Sequence, residues 1–246
     1  MKILLTTTDD NYSELTRGLI TSAIKNEPSF DCFVVCYSGS SEHKISSLES
    51  LDDRVNVQRF EDYSSAGTLH DDVWVKNVGL KTRALEVLLA EGHQVVMVDS
   101  DCLIMKPIWH SLKDIEHFAL CHRDRPALRA DMRLDFIASF FFGNGKQALS
   151  FVQHWRTILG HLTDLPTFAA PYETPALCLA ARDWKPQYIS HAPEYLYGAQ
   201  AGFGDSTKVC HLKSRVRTKL DDVLATRLHA LGKNDREIAT AFYGHV

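Results

Sequence analysis

No stretch of the 246 residues stays apolar for the roughly 20 positions that a membrane-spanning helix needs, so the sequence contains no candidate spanning helix. Strong charge of either sign is also lacking. With 27 Lys and Arg against 31 Asp and Glu, the formal net charge is -4, and no overall positive field is present to hold nucleic acid or an anionic membrane. The six cysteines, Cys32, Cys36, Cys102, Cys121, Cys178 and Cys210, show no paired CxxC spacing, which removes the usual structural zinc patterns. Their apolar, strand-like contexts favour buried free thiols over disulfides. The opening MKILLTTTDDNY has an apolar run too short for a secretory signal and meets two aspartates at once. An intracellular, cytoplasmic protein is the expectation, with peripheral attachment at a membrane surface as the alternative. Internal repeats, low-complexity tracts and linker-like composition are missing too, so one domain over 1–246 is expected.

What the sequence does contain is an alternation of short apolar runs and amphipathic stretches. Residues 2–8 (KILLTTT) read as a buried strand, and 12–25 place Leu15, Leu19 and Ile20 at helical spacing. DCFVVCYSG at 31–39 predicts a second strand, 42–51 a helix, and RVNVQRF at 54–60 a third strand. The segment 74–91 carries Val78, Ala84, Leu85, Leu88 and Leu89 at helical periodicity, and Gly92 stands where helices commonly stop. VVMV at 95–98 is then a central strand. Beyond Pro107 the order changes: 117–122 and 134–142 read as strands, 146–159 and 174–181 as helices, and 208–211 as a short strand. Two amphipathic helices are expected near 221–231 and 234–242. The β-α-β-α-β start implies an α/β fold with a mixed, mainly parallel sheet flanked by helices.

The chemistry concentrates where VVMV ends in Asp99-Ser100-Asp101. Open α/β sheets bind ligands at the carboxyl ends of their strands, and that is where these carboxylates leave. In extended backbone, residues two apart share a side, which would bring Asp99 and Asp101 to one cation. Oxygen ligands of this kind suit Mg²⁺ or Mn²⁺. A cation there would bridge a diphosphate and neutralise charge as it departs. Two rival readings exist. A DxD triplet also occurs as a solvated turn, and haloacid-dehalogenase-like phosphatases place two aspartates after an apolar strand, the first as nucleophile. Against the phosphatase, at least three strands precede this one, and Cys102-Leu103-Ile104 follows where that family has a threonine or similar residue.

Four stretches in order make the chain resemble the GT-A-fold glycosyltransferases, particularly family 8 and neighbouring nucleotide-diphospho-sugar transferases. In TTTDDNY at 6–12, Thr7, Thr8, Asp9, Asp10 and Tyr12 match the nucleotide pocket of that family. The resemblance implies a hydrogen bond from the base or ribose to Asp9 and stacking of the base on Tyr12. Capping of the following helix by Asp9 or Asp10 is the structural alternative. KTRALEVLLAEGHQVVMVDSD at 81–101 looks like the family's helix and DxD. It implies a donor-facing Lys81, with Lys76 or Arg83 as substitutes, and places Ser100 beside the donor.

FIASFFFGN at 136–144, with Ser139 and Asn144 as its polar members, is similar to the acceptor-side strand. The Asp-Gln pair that opens the next helix in relatives is replaced here by Glu173-Thr174, so Glu173 is the acceptor-side candidate, with Asp135 and Asp183 as alternatives. VCHLKSRVR at 209–217 implies His211 as third metal ligand, tilting the cation toward Mn²⁺, and Lys213, Ser214 and Arg217 as diphosphate contacts. Residues 1–106 would then form the nucleotide-sugar half and 107–246 the acceptor half. The implied activity is metal-dependent transfer of a sugar from a nucleotide-diphosphate donor, a UDP-sugar by default, with retention. The acceptor is a glycan, a protein, a small molecule or a modified nucleic acid. A binding module that kept the metal site without the chemistry is the other reading.

Overall fold

The computed structural model describes residues 1–60, 72–129, 132–163, 173–184, 190–191 and 208–211. The expected C-terminal helices, together with Lys213, Ser214 and Arg217, lie outside the described residues.

The first half is laid out as its periodicity predicts. Strand β1 (Lys2–Thr8) leads into α1 (Ser13–Asn26), β2 (Cys32–Tyr37), α2 (Glu42–Glu49), β3 (Val55–Arg59), α3 (Asp72–Ala90) and β4 (Gln94–Val98). Helix α3 stops where glycine permits it. Gly92 takes φ 80°, and the N–H groups of Gly92 and His93 reach back to the carbonyls of Leu89 and Leu88 at 3.1 Å each. The second half adds β5 (Cys102–Ile104), the short α4 (Trp109–Leu112), β6 (Phe118–Arg129), β7 (Met132–Gly143), α5 (Gly145–Thr163), α6 (Glu173–Asp183), β8 (Ser190–His191) and β9 (Val209–His211).

Seven strands form one sheet in the order β3-β2-β1-β4-β7-β6-β8. Strands β1 to β4 pair in parallel, and β7 runs antiparallel to both β4 and β6. The sheet is therefore mixed and mainly parallel, as expected. The remaining pair, β5 with β9, makes a separate antiparallel ribbon that opposes Cys102 to His211 and Leu103 to Cys210.

From Val95 to Val98 strand β4 is apolar because helices cover both of its faces. Val96 and Val98 join a core with Leu19, Ile20 and Ala23 of α1 and Trp109 and Leu112 of α4. Val95 and Met97 join the other, with Leu85 and Leu88 of α3, Phe151 and Trp155 of α5, and Ala176 and Ala180 of α6. Strand β7 alternates likewise, Phe140 and Phe142 on one side and Phe141 on the other. Each fully buried side chain of this size contributes about 1.5–3 kcal/mol of transfer free energy. All six cysteines are free and five are buried, with Cys36, Cys102 and Cys121 packed inside these layers as small apolar residues.

The chain direction creates a crevice. From β1 the order passes outward to β2 and β3, then returns to β4 on the other side, so the carboxyl ends of β1 and β4 flank a topological switch point. Their parallel register pairs Leu5 with Met97, and two residues further along stand Thr7 and Asp99.

Candidate functional site

Asp99-Ser100-Asp101 is a turn, which corrects the extended geometry expected from the sequence. The Cys102 N–H donates to the Asp99 carbonyl at 3.0 Å, while the Asp99 N–H is held by the Ser139 carbonyl at 3.1 Å. The turn is needed because the chain must leave the seven-stranded sheet after Val98 and enter the β5–β9 ribbon at Cys102. Ser100 is buried within it.

Three other elements converge on this turn. Helix α3 contributes Lys81, buried at 6% exposure, whose ammonium contacts Asp99 Oδ1. The same ammonium lies 3.0 Å from Glu173 Oε1, at the first residue of α6. Strand β9 brings His211, whose Nε2 is 3.1 Å from Asp101 Oδ1 and 3.7 Å from Asp99 Oδ2. The result is a chain of ionisable groups, Glu173, Lys81, Asp99, His211, Asp101, crossing the carboxyl end of β4.

The charges are set by each other more than by solvent. Burial alone would push the Lys81 ammonium toward its neutral form, but the opposing charges of Asp99 and Glu173 outweigh it and raise its pKa above the ordinary lysine value. Burial likewise works against Asp99 ionisation, yet Lys81 and His211 overcome both burial and the like charge of Asp101, and the Asp99 pKa ends below the usual carboxylate value. Asp99 is thus a carboxylate with one oxygen committed to Lys81 and the other turned toward His211.

The ligand atoms of Asp101, Cys102 and His211 lie within 4.8 Å of one another, a spacing compatible with one bound ion. His211 is 1% exposed, and its Nδ1 has no hydrogen-bond partner among the described residues. The other ring nitrogen, Nε2, faces two carboxylates in this enclosed corner, and a cation held among these groups would balance their like charges. Asp99, Asp101 and His211 are a hard oxygen and nitrogen donor set, the kind that suits Mn²⁺ or Mg²⁺.

The β1–α1 loop forms the other lip of the crevice. Asp9 Oδ1 accepts the N–H groups of Asn11 at 2.8 Å and Tyr12 at 3.0 Å, so it shapes the entry to α1. Asp10 is tied to the next loop: it accepts Tyr37 Oη and the N–H groups of Ser40 and Ser41, both at 3.2 Å. Thr8 is buried and accepts the Thr16 hydroxyl at 2.7 Å, whereas Thr7 and the Tyr12 ring are half-buried at the crevice.

Among the alternatives, Arg83 is exposed while Lys81 is buried, and the Lys76 side chain lies outside what is described. Asp135 pairs with Arg133 at 2.6 Å. Asp183 pairs with His154 at 2.9 Å, at the far end of α6 from Glu173. Ser139 adjoins Asp99 through its carbonyl, but Asn144 follows Gly143, which pairs with Val95 at the opposite end of β4.

Sequence reasoning missed the groups that hold β5. Ser22 Oγ accepts the Ile104 N–H at 3.0 Å, and Asn26 donates to the Ile104 carbonyl at 2.7 Å. The buried Glu27 carboxylate takes the N–H groups of Ile108 at 2.6 Å and Trp109 at 2.9 Å. Polar residues on the last turns of α1 were the available signal, since they have no reason to face an apolar layer unless a backbone edge needs them.

No protein-family model and no curated protein sequence matches this chain. Solved structures do. The galactosyltransferase LgtC, in complex with donor and acceptor sugar analogs, superposes with a TM-score of 0.66 over 98% of this chain and 96% of its own, at 14% identity. An active-site mutant of LgtC gives 0.58 over 86% of each chain at 16% identity. This is a GT-A-type fold. The bifunctional glycosyltransferase WbbM, in its apo form, gives 0.57 over 86% of this chain at 14% identity, and there the match spans 45% of the longer protein. At such identities the likeness is one of fold. Among the described residues, no helix is long and apolar enough to cross a membrane.

Proposed function

We propose that this chain is a metal-dependent glycosyltransferase that moves a sugar from a nucleotide-diphosphate donor, a UDP-sugar, to an acceptor hydroxyl with retention of configuration. The observation that carries this reading is the convergence of Asp99, Asp101 and His211 at the switch point of a fold shared with a galactosyltransferase solved with donor and acceptor sugar analogs.

Asp99, Asp101 and His211 would hold Mn²⁺ or Mg²⁺, which when bound neutralises charge building on the departing diphosphate. The protein's own part is positioning. Lys81 keeps Asp99 ionised and oriented, so one carboxylate oxygen stays directed toward His211. The Thr7–Tyr12 loop lines the nucleotide side, with Tyr12 offering a ring face to the base and Ser100 adjoining the donor. Lys213, Ser214 and Arg217 supply cationic and hydroxyl contacts to the diphosphate. Glu173, fixed by Lys81, places the acceptor or faces the oxocarbenium-like carbon, and attack comes from the face the diphosphate leaves.

The test is thermal stability against a panel of nucleotide-sugars with and without Mn²⁺. A ligand at 100 times its dissociation constant stabilises by about 2.7 kcal/mol. A manganese-dependent shift with uridine donors, abolished in Asp101→Ala, and slow release of UDP without acceptor are expected. Absence of any shift, or phosphate release from simple phosphoesters that Asp99→Asn abolishes, overturns the reading.

A further inference from the structure

Among the described residues, the three side chains whose ligand atoms lie closest together at the site are Asp101, Cys102 and His211, and one of them is a thiol. Strand β5 places Cys102 directly opposite His211 on β9, so the two side chains share one face of the ribbon. Both are fully enclosed: Cys102 is 0% and His211 1% exposed. Asp99, by contrast, has one oxygen committed to Lys81, and its other oxygen stands 3.7 Å from His211 Nε2, further than Asp101 at 3.1 Å.

Carboxylate and imidazole serve manganese or magnesium, but thiolate, imidazole and one carboxylate form a set that prefers borderline ions such as Zn²⁺ and Co²⁺. We propose that the site has a second metal-binding mode, in which Cys102 Sγ joins Asp101 and His211 to capture Zn²⁺ or Co²⁺ in place of the hard cation. This inference rests on the proposed metal centre and not on the donor or the reaction. Coordination forms an Sγ–metal bond and releases the thiol proton to solvent, with no change of oxidation state. Zinc then acts as a competitor of manganese at its own centre, in keeping with the general affinity order of divalent ions.

Cobalt(II) chloride titrated into the reduced, full-length chain reads the sulfur directly. A thiolate-to-cobalt charge-transfer band saturating at one ion per chain is expected. It should vanish in Cys102→Ser and persist in Cys210→Ser, because Cys210 opposes Leu103 on the other face of the ribbon. Zinc affinity in Cys102→Ser should fall by roughly 100-fold, on the scale at which altered metal surroundings act, while manganese affinity measured by electron paramagnetic resonance stays within about threefold. Cadmium NMR of the unsubstituted chain gives the same answer without reliance on a variant that misfolds. Manganese binding with no sulfur signature for cobalt or cadmium overturns this inference alone. Failure of manganese, cobalt and cadmium all to bind overturns it together with the metal centre. A charge-transfer band undiminished in Cys102→Ser also overturns it.

Discussion

Lys81 and Glu173 are 92 positions apart in the chain, yet Lys81 Nζ lies 3.0 Å from Glu173 Oε1. The contact joins the middle of α3 to the first residue of α6, and through Asp99 it reaches the carboxyl end of β4. One buried cation thus serves two carboxylates, Glu173 buried and Asp99 partly buried.

Removing that cation takes a shared counter-charge from Asp99 and Glu173. Lys81→Met should cost about 3–5 kcal/mol, the range for breaking a buried ion pair from one side. Urea unfolding monitored at constant m-value checks it, and a loss below about 1 kcal/mol would mean that solvent already screens the group. Glu173→Gln, which leaves Asp99 paired, should cost less.

The neighbouring loop offers a steric test. A Cβ on Gly39 would stand 2.5 Å from Asp10 Oδ1 and 2.6 Å from Tyr37 Cε1. Gly39→Ala should therefore displace the Asp10 carboxylate from the N–H groups of Ser40 and Ser41 and destabilise by about 0.5–1.5 kcal/mol, the net worth of a hydrogen bond whose groups water can reach. In Asp10→Ala the further cost of Gly39→Ala should shrink, and a double-mutant cycle by urea unfolding measures the coupling.

Glu27 anchors the segment beyond the ribbon that carries His211. Glu27→Ala strands the N–H groups of Ile108 and Trp109, with an expected loss of about 1–3 kcal/mol for each orphaned group. Because β5 sits just before that anchor, the variant should also bind Mn²⁺ less tightly, as read by electron paramagnetic resonance. Unchanged affinity would show that Ser22 and Asn26 hold β5 by themselves.

Cys36 gives the clearest pH dependence. Burial pushes its thiol up to about 12 from 9.0. The folded pKa is raised, so the stability contributed by the protonated thiol is complete below pH 9 and is lost as pH rises from 9 toward 12, where the unfolded chain ionises first. Unfolding free energy measured at pH 8 and at pH 10.5 should fall, and the fall should be smaller in Cys36→Ala. At pH 8, thiol labelling of the native chain should be fastest at Cys32, which alone of the six is only partly buried.

Much of this fold is readable from periodicity because its central strands are covered on both faces. VVMV cannot face water, and the glycine at 92 ends the helix before it as backbone geometry requires. The position of the aspartates at a strand end was equally legible. Their local geometry was not, since a three-residue turn is decided by where the chain must go next, into a ribbon whose partner lies far downstream. The same distance hid the place of Cys102. In sequence it looks like any apolar-strand cysteine, and only its pairing opposite His211 gives it a polar neighbourhood. Asp10 was ambiguous for another reason: a carboxylate suited to a ligand suits backbone N–H groups just as well, and the donors it engages come from the end of β2 and the loop that follows it.

The β5–β9 ribbon also sets an order of events during folding. Asp101 and His211 are separated by 110 positions (211 − 101 = 110), and the ribbon is their meeting place. Closing so long a loop costs entropy that grows only slowly with length, but it must be paid before the contact returns anything. The aspartates therefore leave the ribosome well before their histidine, and a nascent chain with both carboxylates exposed holds no complete centre. On the proposed metal centre, tight metal binding would be a sign that β9 has docked, and a metal-dependent signal would report the finished fold.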